Sequence, residues 1–133
     1  MASETPGNLP AELRAFLHSC IESIGQVELL MLLRGSQRMR TAREVASELN
    51  VTPATARRDL ETLAARGLLE VRVGQETSYR YGPKSDDLSR YCDLLAQHYV
   101  TSRAAVLGFV ATDSRLSIKR FSDAFKLRND PEE

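Results

Sequence analysis

The chain has 133 residues, enough for one domain with a real hydrophobic core but too few for a separate ligand-binding domain. Its composition, 27% charged and 42% hydrophobic, is that of a globular protein, and its net charge of zero argues against a uniformly basic nucleic-acid binder. The longest apolar run, residues 29–33, is too short to cross a bilayer, and no secretory signal is visible. We therefore expect a cytoplasmic protein without a membrane partner.

The charge is unevenly distributed along the chain. Residues 1–33 hold one Arg and four Glu, whereas residues 34–80 hold nine Arg and six acidic residues, a net charge of +3. Residues 81–133 hold eight basic and eight acidic residues. All of the positive charge in the middle segment is arginine, whose planar guanidinium bonds phosphates and base edges in bidentate fashion. This distribution permits nucleic-acid binding by the middle segment without requiring it.

The sequence opens with a predicted flexible arm over residues 1–10, followed by an N-terminal helical segment over residues 11–26. Gly25 predicts a bend, and residues 27–33 predict a short apolar helix that ends at Gly35. The apolar face of the first helix comprises Leu13, Phe16, Leu17, Cys20, Ile21 and Ile24.

Two capped helices are predicted next. The first begins with a capping box, in which Thr41 and Glu44 each satisfy a backbone N–H of the other. The second has Thr52 as its N-cap and Pro53 at its first position, and Gly67 ends it. The buried residues predicted for the two helices are Val45, Ala46 and Leu49, then Ala56, Leu60 and Leu63.

After Gly67 the apolar period changes from 3.6 to 2, which predicts a two-stranded hairpin. Its tip is the sequence GQET, and Arg72 and Arg80 take outward positions on its strands. The face predicted to be buried comprises Leu69, Val71, Val73, Tyr79 and Tyr81.

Residues 84–112 predict one long helix with a heptad-like apolar seam, which Ser102 weakens. We interpret the seam as a homodimer interface together with the N-terminal helix; the alternative is that the two helices pack on each other within one chain. The seam residues are Leu88, Cys92, Leu95, Tyr99, Val106 and Phe109. Residues 113–133 predict a short C-terminal helix and tail that pack on the body, bind a partner protein or lie on a membrane surface.

The order of elements places residues 27–83 in a mainly α fold with a small β-hairpin, flanked by N- and C-terminal helices. This segment resembles the winged helix-turn-helix transcriptional regulators. Within it, TPATARRDLETLAARGLL is similar to the recognition helix of DeoR-type repressors, although Ala56 replaces a larger aliphatic residue of that family. The chain also lacks the large sugar-phosphate-binding domain of those repressors, so their effector chemistry does not transfer.

The resemblance implies a sequence-specific regulator that binds double-stranded DNA as a homodimer and associates with the bacterial nucleoid. Helical geometry places Thr55 and Arg58 on one face near the amino end of the helix, where bases are read, and Arg57 about 100° further round, nearer phosphate. Asp59 is expected to pair with a neighbouring arginine. The positions expected to contact DNA are Thr52, Pro53, Thr55, Arg57, Arg58, Arg40, Arg43, Arg72 and Arg80, and Arg38 also lies near the start of the preceding helix.

No catalytic motif, glycine-rich phosphate loop or metal-ligand pattern is present in the sequence, so neither an enzyme nor a cofactor is expected. Cys20 and Cys92 fall on apolar stripes, which favours small buried side chains over a disulfide or a metal site. Two other functions stay open. One is a winged-helix adaptor that binds protein and does not read DNA; the other is RNA binding, which an inward orientation of the two hairpin tyrosines disfavours.

Overall fold

The computed structural model describes residues 9–112, so the predictions for residues 1–8 and for the C-terminal helix of residues 113–133 lie outside the described residues. The described part is mainly helical, with one small antiparallel sheet. Its elements are α1 (Ala11–Cys20), α2 (Ile24–Ser36), β1 (Arg40–Thr41), α3 (Ala42–Leu49), α4 (Pro53–Ala65), β2 (Leu69–Arg72), β3 (Ser78–Tyr81), α5 (Asp86–Thr101) and α6 (Arg103–Thr112).

The apolar stripes of the helices meet in one core. The predicted inward faces of the N-terminal segment, α3 and α4 are confirmed, apart from Cys20, Ile24 and Leu49, which are half-buried. Cys92 is fully buried, and both cysteines are free thiols. The largest buried side chains are Leu13, Leu17, Ile21, Leu29, Leu30, Leu33, Leu60, Leu63, Leu68, Leu69, Leu95 and Val27.

The N-terminal helix breaks earlier than the sequence predicts. α1 ends at Cys20, and Ser23 caps a new helix by accepting a hydrogen bond from the backbone N–H of Gln26. α2 then continues through Gly35 and ends at Ser36, and the next residue, Gln37, takes a left-handed conformation with φ 59°. The axes of α1 and α2 differ by 104°. Within residues 9–112 no single helix is long and apolar enough to cross a membrane. Only this bent pair, taken together, has the length and apolar composition of a membrane span.

The predicted long helix over residues 84–112 is two helices. The break lies at Ser102, whose backbone leaves the helical region at φ −142° and ψ 49°. α6 then packs against α1, α2 and α5, and Val106 and Val110 enter the core. The heptad seam is therefore not continuous, because the turn redirects its last residues.

The sheet has three strands rather than the two of the predicted hairpin. β3 lies in the middle, with Arg40 of β1 opposite Tyr79 and Leu69 of β2 opposite Tyr81. A two-residue strand is too short to show alternation, so β1 had no sequence signal. The buried face of the hairpin is also shorter than predicted: Val71 is 47% exposed and Val73 is 82% exposed, because the hairpin extends beyond the helices.

Candidate nucleic-acid interface

The amino end of α4 is held by a cap that was predicted from the sequence. The hydroxyl of Thr52 accepts a hydrogen bond from the backbone N–H of Thr55 at 3.1 Å and donates one to the Thr55 hydroxyl at 2.9 Å. Pro53 occupies the first helical position, and both Thr52 and Pro53 are exposed. The Thr55 hydroxyl keeps its own proton available for an external acceptor.

The two neighbouring arginines of α4 lie outside its buried stripe. Arg57 and Arg58 are both exposed, and neither has a hydrogen bond or ion pair to any residue between 9 and 112. Arg57 is turned toward the hairpin and lines a groove there with Tyr79. Arg58 lies further from the hairpin, on the outermost side of the helix. The two arginines thus face different surroundings.

Most other arginines of the basic segment already have acidic partners. Arg34 pairs with Asp93 at 2.7 Å and Arg66 with Glu22 at 2.8 Å. Arg40 corrects the sequence prediction most clearly, because its side chain is only 6% exposed and lies 2.5 Å from a carboxylate oxygen of Glu48. A guanidinium in that position cannot reach a DNA phosphate.

The two arginines expected on the strands differ in the same way. Arg80 donates to Oε1 of Glu70, its cross-strand neighbour, through Nε at 3.2 Å and Nη2 at 2.5 Å. Arg72 is exposed and has no ion pair within the described range. On the hairpin, Arg72 is thus the arginine whose charge is available to a ligand.

A groove of about 320 Å³ separates α4 from the hairpin. Arg43, at the start of α3, crosses its mouth to Glu76 at the hairpin tip, with Nη2 and Oε1 2.9 Å apart. Arg57 and Glu61 of α4 also line it, and Glu61 has no hydrogen bond or ion pair among residues 9–112, although burial and, to a smaller extent, the Glu61 charge raise the pKa of the Tyr79 phenol. Neither glutamate was predicted from the sequence to line this groove. Glu61 follows Arg57 by one helical turn, and this spacing is visible in the sequence.

A polar contact that the sequence did not predict also joins α4 to α2. Gln26 is only 3% exposed and donates from Nε2 to Oδ1 of Asp59 at 3.2 Å. Its Oε1 accepts the backbone N–H of Glu22 at 2.8 Å. Asp59 therefore bonds Gln26 rather than the arginine partner suggested by the sequence.

The predicted dimer seam is partly used within the single chain. Cys92, Leu95 and Val106 are fully buried in its own core. The other three seam residues, Leu88, Tyr99 and Phe109, are half-buried. The helices also meet through Phe16 and Tyr91, whose rings stack 5.5 Å apart, so α1 and α5 pack on each other within one chain.

A titratable cluster beneath the hairpin lies apart from α4. Burial raises the pKa of the Tyr81 phenol to about 12 and that of the Cys92 thiol to about 11. The guanidinium of Arg34 lies 6.0 Å from the Tyr81 ring centroid. The phenol and the thiol are neutral near pH 7, whereas the Arg34 guanidinium is charged. No cluster of three metal-ligating side chains occurs anywhere in residues 9–112.

Comparison with known proteins agrees with this architecture. Residues 26–74 match the model of the DeoR-like helix-turn-helix domain, which covers α2 to the hairpin tip. No curated protein sequence matches the chain.

Several solved structures are similar to the chain. One is the homodimeric winged helix-turn-helix DNA-binding domain of Mb0332 from Mycobacterium bovis, a possible ArsR-family transcriptional regulator, with 25% identity over 69% of this chain and 80% of that chain and a TM-score of 0.50. Reduced HlyU from Vibrio cholerae has 19% identity over 67% of this chain and 90% of that chain, with a TM-score of 0.51. YusO from Bacillus subtilis has 12% identity over 87% of this chain and 82% of that chain, with a TM-score of 0.52.

The chain has the winged helix-turn-helix fold, and its residues 26–74 are similar to the DeoR-like helix-turn-helix domain.

Proposed function

We propose that the protein is a sequence-specific transcriptional regulator that binds double-stranded DNA as a homodimer. The observation that carries the proposal is the division among the arginines: those that stabilise the fold have acidic partners, whereas Arg57 and Arg58 on α4 and Arg72 on the hairpin have none. Unpaired guanidinium groups on a recognition helix and its wing suit an anionic duplex.

The contacts divide by position along the helix. Thr55 and Arg58 lie three residues apart near the amino end of α4 and are proposed to read bases in the major groove. Arg57, turned toward the hairpin, is proposed to contact phosphate, together with Arg72. Arg43 joins them if a phosphate displaces Glu76.

The homodimer is proposed from the flanking helices. Val100 of α5 is 82% exposed, and the half-buried residues Leu88, Tyr99 and Phe109 surround the buried part of the seam. Mb0332, which has the same fold, is homodimeric. A second copy would present two recognition helices to two half-sites.

A selection of bound duplexes from a random pool at low salt tests the proposal. We expect a palindromic site, bound by a species of twice the monomer mass in analytical ultracentrifugation. The double substitution R57A/R58A should abolish selection, whereas R14A, which removes an exposed arginine of α1, should not. Failure of the wild-type protein to enrich any duplex would refute DNA reading and favour a protein-binding adaptor.

A further inference from the structure

Glu61 occupies a place on α4 that neither the core nor an ion pair explains. Its side chain is exposed and has no hydrogen bond or ion pair with any residue from 9 to 112, and its one interaction there is through space with the Tyr79 phenol. Arg57 and Arg58 precede it by four and three residues, the spacings at which helical ion pairs form. The other glutamate of the groove, Glu76, does have an arginine partner, Arg43. The Glu61 carboxylate is therefore available to a ligand.

Glu61 belongs to the same exposed face as the two arginines. Successive residues of an α-helix are rotated by about 100°, so Glu61 lies about 60° from Arg58 and about 40° from Arg57. It also lines the groove beside Tyr79 and Arg57. Its angle on the helix falls between those of Arg57 and Arg58, so a duplex that presents phosphate to Arg57 and base edges to Arg58 passes close to this carboxylate.

A carboxylate so close to a duplex is repelled by phosphate unless it finds a hydrogen-bond donor. In the major groove, the exocyclic amine of cytosine is the donor that acidic side chains accept. On the basis of the proposed function, we infer that Glu61 is a specificity-determining residue that selects cytosine at one position of each half-site. It also weakens binding to sequences that offer no donor there, because the unpaired charge then faces phosphates.

Two substitutions separate base selection from simple repulsion. E61A removes the acceptor, and the preference for cytosine at that position should fall by about tenfold or more. E61Q replaces the carboxylate by an amide that both donates and accepts, so the preference should move toward adenine. Both should bind random duplexes more tightly than the wild-type protein, since a negative charge has been removed.

E76Q is the matched control, since it removes the same charge from the hairpin side of the same groove. It should raise affinity for all duplexes without changing the base preference at any position. The measurement is competitive binding to a library in which each position of the selected site is varied. Unchanged base preferences in E61A and E61Q, with affinity raised equally for every duplex, would overturn the inference. A wild-type protein that selects no site would instead refute the proposed function itself.

Discussion

Arg40 and Glu48 join β1 to the end of α3 through an ion pair of 2.5 Å, in which the arginine is buried and the glutamate is half-exposed. In the sequence, Arg40 stands among other arginines at the start of a helix, a position that predicts contact with DNA. Its neighbour three residues later, Arg43, is 72% exposed at the side chain and pairs with the hairpin tip. Adjacent positive charges thus have different roles, which follow from their burial.

Replacement of Glu48 by Gln should destabilise the fold. The buried Arg40 guanidinium would lose its counter-charge, and because Glu48 is itself half-exposed, we expect a loss of about 1–3 kcal/mol in the free energy of unfolding. Urea denaturation measures this loss. E76Q, which breaks the exposed pair with Arg43, should change stability by about 1 kcal/mol or less. Equal losses in the two variants would show that burial of Arg40 does not matter.

Asp59 should stabilise the contact between α2 and α4. In D59A the buried Nε2 of Gln26 loses its acceptor, and the free energy of unfolding should fall by about 1–3 kcal/mol. D59N keeps an amide oxygen at the same place and should lose less. Thermal and urea unfolding of the two variants measure the difference. A stability for D59A equal to that of the wild-type protein would contradict the assigned role.

Arg57 should contribute affinity without sequence preference if it contacts phosphate. R57A is expected to weaken binding to all duplexes alike and to reduce the slope of log affinity against log salt by about 1. Titrations with labelled duplexes at several salt concentrations measure both quantities, with R14A as the control. An altered base preference in R57A would instead assign the side chain to base reading.

Stability should fall at alkaline pH partly because of Tyr81. Its phenol has a pKa of about 12 in the folded chain, and the ordinary value of about 10 applies to the unfolded chain. Between these values the unfolded state releases a proton that the folded state retains, so the free energy of unfolding decreases as pH rises from 10 to 12. Y81F lacks this proton and should lose less stability over that interval. Urea denaturation at pH 8, 10 and 11 tests this, and C92A is introduced into both proteins because the Cys92 thiol and the Tyr81 phenol influence each other's pKa.

The sequence by itself determined the elements whose signals are local. The capping box of Thr41 and Glu44, the cap at Thr52 and the buried stripe of Ala56, Leu60 and Leu63 were all predicted correctly, because each depends on residues within one or two helical turns. The likeness of α4 to the helix of DeoR-type proteins was predicted for the same reason, because it too depends on a short run of residues.

Only the tertiary structure decided which charges are free. The partners of Arg40, Arg43 and Arg80 come from different elements, and spacing in the sequence does not indicate which elements meet. The break at Ser102 and the exposure of Val71 likewise depend on where the body of the domain ends. An arginine becomes a contact candidate only when burial and neighbouring carboxylates leave its charge unpaired, and these are properties of the folded chain.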